Sequence, residues 1–159
     1  MKQLSFSDFD GFSILLDNSD VHNLIPHRPP ILMIDDAKVS WDGLKIKATC
    51  LLIKRRHLFA GHFPGQPILP GIYVLEAMAQ AGLLLCFFAN PSARDQNFVF
   101  AGAEKVKWRR PILPRMALTI VVEITHLKRL GSNQAVKFLG KAFCRSVLVA
   151  EAKFTGMIG

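Results

Sequence analysis

The sequence predicts an α+β fold in which a long antiparallel sheet wraps a single central helix. Three observations lead there. The run from about Gly71 to Ala89 is rich in Ala, Leu and Met and apolar almost all round. Two β-prone segments precede it, and about four follow it with turn signals between them. A helix apolar on most sides must be covered on most sides, and one sheet curled around it is the economical cover. At 159 residues the chain suits one core and would crowd two.

Residues 1–18 read as an irregular extension, and 19–159 as the domain proper. Ser19 and Asp20 are candidate caps for a short helix over Val21–Leu24, which Pro26 would stop. Ile31–Val39 is β-prone. Asp42-Gly43 is a turn signal, after which Leu44, Ile46, Ala48, Cys50 and Leu52 alternate with Lys45, Lys47 and Thr49, the pattern of a half-buried strand. Then comes GHFPGQPILPG (61–71), whose prolines and glycines exclude a regular helix or central strand. The helix follows and is closed by Asn90-Pro91. Asn97–Trp108, Ala117–Arg129, Gln134–Cys144 and Val147–Thr155 read as strands, with turns at Gly131-Ser132-Asn133 and Arg145-Ser146. This order is that of the hot-dog architecture.

Half of the residues are hydrophobic, and the mean hydropathy is +0.26. Some apolar surface is therefore expected to be covered in an oligomer. The net charge of +8 points to an acidic partner, although the basic clusters can also be solvated strand ends. Nucleic acid is not expected, because no aromatic residues interleave the basic clusters and no zinc-finger or helix-turn-helix signature is present. The three cysteines show no CxxC spacing, so neither a zinc site nor a disulfide framework is read. A reducing, cytoplasmic compartment follows most simply. The acidic N-terminal stretch resembles neither a signal nor a transit peptide. The longest apolar run, interrupted at Gln80, reads as too short to span a bilayer.

Glu76 stands out because only it and Gln80 interrupt the apolar surface of the helix. The bland alternative is a carboxylate satisfied by Gln80 one turn later. His62 opens the Pro/Gly loop fourteen residues upstream, and taken alone it reads as a turn histidine. Together, the two offer an imidazole able to exchange protons near neutral pH and a carboxyl whose apolar surroundings favour the proton-donating form. Pro70-Gly71 begins the helix there. Its free N–H groups and the positive end of the helix dipole could stabilise a developing oxyanion.

GHFPGQPILPGIYVLEAMAQ resembles the signature of bacterial 3-hydroxyacyl-acyl-carrier-protein dehydratases of the FabZ class. IPHRPPILMID, FVFAGAEKVKWRRPILP, VVEITHLKR and KFLGKAFCRSVLVAEAKF extend the resemblance over roughly residues 20–156. It implies dehydration of a (3R)-3-hydroxyacyl thioester to the trans-2-enoyl thioester in fatty-acid or related polyketide biosynthesis. His62 would be the base at C2, Glu76 either the acid at the C3 hydroxyl or the residue that orients a water there, and the Gly71 amide the ligand of the thioester carbonyl. No cofactor or metal is implied. The acidic acyl carrier protein would be the partner. Active sites would be shared across a homodimer, with three dimers able to associate further. Ala79, Leu83, Phe87, Phe98 and Phe100 would line the acyl tunnel, although each also reads as ordinary core. A hot-dog thioesterase would not need the histidine of HFPG, and a non-catalytic carrier-binding subunit would need neither residue.

Three features depart from the family pattern. Pro114-Arg115-Met116 replaces a PGD turn and should require different geometry or strain. Phe98-Val99 alters the position before FAG where an aromatic gate is expected. IKRRHLF (53–59) is strongly basic, and its His57 reads as a loop histidine. His22, His27 and His126 have no acidic residue at a telling spacing and read as structural or surface residues.

Overall fold

The computed structural model describes residues 13–159. β1 (Ser13–Leu16) and α1 (Asn18–Leu24) lead into β2 (Asp36–Ser40) and β3 (Lys45–Leu51). The long helix α2 (Gly71–Ala89) follows, then β4 (Phe98–Trp108), β5 (Ala117–Leu130), β6 (Asn133–Cys144) and β7 (Val147–Ile158). The strands form one antiparallel sheet in the order β1-β2-β3-β5-β6-β7-β4. Register shifts in the β4–β7, β5–β6 and β6–β7 pairs add the local bend and twist that a wrapped sheet needs.

The sheet's inner face packs on α2. Ile46, Ala48 and Cys50 of β3, Leu118, Ile120 and Val122 of β5, and Val136 and Phe138 of β6 are all buried. They meet Val74, Ala77, Met78, Ala81 and Leu83–Leu85 of the helix in one continuous core. Closest approach depends on absent side chains. A Cβ on Gly140 would lie 2.9 Å from the Met78 sulfur, and one on Gly82 would lie 3.2 Å from the Phe138 ring. At about 1.5–3 kcal/mol for each large aliphatic side chain buried, this interface dominates the fold's stability. By length and a hydropathy of 1.8, α2 could cross a bilayer, contrary to the sequence reading, but 67% of that window is buried inside the fold. It has the surroundings of a core helix.

Several boundaries differ from expectation. Within the stretch read as an irregular extension, residues 13–16 pair with β2 as an edge strand, and Asp17 and Asn18 cap and begin α1; residues 1–12 lie outside the described residues. Helix α1 is capped by Asp17, which bonds the Asp20 N–H while Asp20 bonds back to the Asp17 N–H. Asp20 is therefore the third residue of a capping box, not the cap itself. Only the end of Ile31–Val39 is a strand. Upstream, side chains replace a neighbouring strand: Gln80 bonds the Met33 N–H and Ile31 C=O, and Arg55 bonds the Leu32 C=O. Those backbone groups are thereby satisfied without a ladder. Leu44 precedes β3 and is 47% exposed. The Pro114-Arg115 turn is closed by the Met116 N–H donating to the Leu113 C=O at 3.1 Å. Arg115 is not among the residues with positive φ, so the turn escapes left-handed strain without glycine.

Candidate active site

The loop carrying His62 is rigid because it bonds to itself. Phe63 and Gln66 exchange both backbone hydrogen bonds at 3.1 Å, and the Ile68 N–H donates to the His62 C=O at 2.8 Å. The imidazole Nδ1 lies 3.0 Å from the Ile68 C=O. A carbonyl only accepts, so the hydrogen belongs on Nδ1 and the lone pair on Nε2. His62 is half-buried and stacks on Phe63 at a centroid distance of 4.2 Å. A neutral imidazole held this way presents Nε2 as a proton acceptor.

Glu76 lies in the second turn of α2 and is partly exposed. Its Oε1 accepts from Gln80 Nε2 at 2.7 Å. Gln80 is itself buried, and its amide also serves Ile31 and Met33. The side-chain bond to Gln80 is the bland arrangement considered from the sequence, and it is present. On another side, His27 Nε2 lies 3.7 Å from the same oxygen. Both partners address Oε1, and no described group is hydrogen-bonded to Oε2.

Gly71 opens α2, and Pro70, its N-cap, supplies no side-chain bond to the first-turn amides. Of the first-turn amides, the Tyr73 N–H donates to the Pro70 C=O at 3.1 Å, while Gly71 and Ile72 belong to the lining of a cleft of about 640 Å³ formed by residues 68–72 and 108–112. The cleft is framed by the Leu69 N–H donating to the Ile112 C=O at 2.8 Å. Glycine is required for a reason the sequence did not reveal: a Cβ here would lie 2.1 Å from the Trp108 indole nitrogen. His62 adjoins this cleft through its two bonds to Ile68. A second cleft of about 730 Å³ shares Arg110 and Pro111 and adds Arg115 and Arg145.

Within one chain, the two sequence-predicted proton carriers are not joined. Among the described residues, His62 and Glu76 share no hydrogen bond or ion pair, and their partners are separate: Ile68 and Phe63 for one, Gln80 and His27 for the other. Helical spacing puts Ala79, Leu83 and Phe87 on the Glu76 face of α2. All three are buried, and Leu83 and Phe87 belong to the main core. Phe98 packs against that core, and Phe100 is 40% exposed on the edge strand β4, stacked on Phe154.

Two polar residues near the site escaped the sequence reading. His27 meets Glu76 across 49 residues of chain, a separation that no spacing rule addresses. Arg55, in the basic run 53–59 that the sequence offers either to an acidic partner or to solvent, is buried and paired with Asp35 at 2.7 Å. It holds the Ile31–Asp35 segment that Gln80 also grips.

An antiparallel sheet around one helix, with a histidine loop and a helix acid, defines the class of hot-dog acyl-thioester proteins. The FabA-like domain model matches residues 25–153. The chain is 36% identical to the 3-hydroxyacyl-[acyl-carrier-protein] dehydratase FabZ of Koribacter versatilis, over 87% of this chain and 86% of that one. It is 38% identical to the FabZ of Erythrobacter litoralis, over 89% and 92%. The chain belongs to the FabZ-like dehydratases of the FabA-like family. Solved structures support the fold. The dehydratase heterocomplex ApeI:P of Xenorhabdus doucetiae aligns with a TM-score of 0.71 at 15% identity, covering 87% of this chain and 90% of that one. A thioesterase described from Shewanella oneidensis aligns at 0.61 and 17%, covering 89% and 93%.

Proposed function

We propose that the protein removes water from (3R)-3-hydroxyacyl thioesters carried on acyl carrier protein, giving the trans-2-enoyl thioester. The observation that carries this reading is the complementary preparation of the two side chains. His62 has Nδ1 committed to Ile68 and Nε2 left to accept, while Glu76 has Oε1 committed to Gln80 and Oε2 left to donate. His62 Nε2 takes a C2 proton, and the electron pair forms the C2=C3 bond. The C3–O bond breaks, and the oxygen leaves as water with the proton from Glu76 Oε2. Negative charge reaching the thioester oxygen is met by the Gly71 N–H at the positive end of α2.

The acid and base come from different copies of the chain. β4 is an edge strand exposed along both faces, with Val99 and Trp108 more than half exposed. Such an apolar edge is a template for pairing with another strand. A homodimer joined there, with further association into a trimer of dimers, covers it. The arginines of the second cleft, Arg110, Arg115 and Arg145, suit the acidic carrier and its phosphopantetheine phosphate. A reducing cytoplasm suits the three free cysteines. The pathway served is fatty-acid synthesis or a related acyl or polyketide route.

The test is incubation of the purified chain with carrier-bound 3-hydroxyacyl thioesters of graded length. Enoyl product should appear, with the mass falling by one water. Free acid without enoyl product would point to a thioesterase instead.

A further inference from the structure

His27 borders Glu76 and takes no part in the proton transfers. Its Nε2 faces Glu76 Oε1 at 3.7 Å, and its Nδ1 is buried with no hydrogen-bond partner among the described residues. A hydrogen on Nδ1 would be a buried donor without an acceptor, which costs about 1–3 kcal/mol. The favoured tautomer therefore carries its hydrogen on Nε2, pointed at the carboxylate. The backbone presenting the ring is fixed as well. Arg28 Nη1 donates to the C=O of Ile25 at 2.8 Å and of His27 itself at 2.7 Å. The Ile31 and Leu32 N–H groups both donate to the Arg28 C=O at 3.1 Å.

We propose that His27 is a positioning residue for Glu76, a role that rests on the dehydratase reading. It addresses the same Oε1 that Gln80 holds, so that only Oε2 carries the transferred proton. At 3.7 Å the pair lies just outside hydrogen-bond range, and a shift of under an ångström closes it, as active-site bonds often tighten when substrate binds. With Gln80 alone, the carboxylate can pivot about one bond. With two donors on one oxygen it cannot, and the acid stays aimed at the C3 hydroxyl.

The test compares His27→Phe, which keeps a ring and removes the donor, with His27→Gln, whose amide nitrogen can stand near Nε2. His27→Phe should lower kcat about tenfold with KM nearly unchanged and the melting temperature retained. His27→Gln should keep most of the wild-type kcat. A normal kcat in His27→Phe would overturn the proposal, as would a change confined to KM. Equal losses in both variants with a lowered melting temperature would mean packing and not aim. Independently of turnover, nitrogen NMR of the histidine-labelled wild-type protein should show His27 protonated at Nε2 and perturbed by Glu76→Gln. The opposite tautomer would also refute the proposal. If the wild type forms no enoyl product, the dehydratase reading fails, while the NMR result still decides whether His27 addresses Glu76 as described.

Discussion

Asp35 and Glu76 are both carboxylates set among apolar residues, and the protein treats them in opposite ways. Asp35 is buried and saturated. One oxygen accepts from Arg55 and the Leu51 N–H, both at 2.7 Å, and the other from Lys54 at 3.0 Å. Burial by itself would raise its pKa, but the bonds from Arg55, Leu51 and Lys54 outweigh that and hold the carboxyl below its ordinary value of 3.8. Glu76 is partly exposed and held through one oxygen only. A carboxylate whose oxygens are both committed organises a structure; one held by half has an oxygen left for chemistry. Asp35 does the first, joining the Ile31–Asp35 segment to the turn that leads toward the His62 loop.

Mutation should separate the two roles. Glu76→Gln keeps the shape and removes the proton donor, and His62→Ala removes the acceptor. Each should lower kcat by about 10²–10⁴, with little change in melting temperature, as followed by steady-state assay and thermal unfolding. Asp35→Asn should behave the other way. Leaving Arg55 buried without its counter-charge should cost about 3 kcal/mol of stability in denaturant titration, with turnover at permissive temperature reduced far less. The pH dependence has a definite sign. Because the folded Asp35 pKa is depressed, its contribution to stability is complete above the ordinary carboxylate value and is lost as pH falls from there through the folded value. The gap in stability between wild type and Asp35→Asn should therefore narrow below about pH 4.

Smaller effects sharpen the same contrast. Gly71→Ala puts a methyl against the Trp108 indole. It should cost about 2 kcal/mol, recovered when Trp108→Ala is added, as read by melting temperature. The thiols supply a check on burial alone. Burial pushes Cys50 and Cys86 up to about 12, so a disulfide reagent at mildly alkaline pH should react with neither until the protein unfolds, while the less buried Cys144 reacts in the native state.

What was legible in the sequence was what depends on neighbours along the chain. The ends of α2 follow from Pro70-Gly71 and Asn90-Pro91, and β4–β7 from their turn residues; β5 runs past its expected end to Leu130 and β7 to Ile158. His62, Gly71 and Glu76 lie within one fifteen-residue stretch, so local pattern and family resemblance reach all three. What was missed depends on contacts across the fold. Ile31–Asp35 looks like a strand because it is apolar, but its backbone is bonded by Gln80 and Arg55. Gly71 looks like a substrate-side requirement, yet Trp108 also demands it. His27 carries no local sign of its approach to Glu76.

If base and acid from two copies of the chain complete one site, two inactive variants mixed together should restore activity. His62→Ala and Glu76→Gln are purified separately, unfolded and refolded together. Random pairing makes half of the dimers mixed, and each mixed dimer regains one intact site of its two, so about a quarter of wild-type activity should return. No recovery, in a preparation whose mixed dimers are verified by mass, would instead place both residues in a site within one chain.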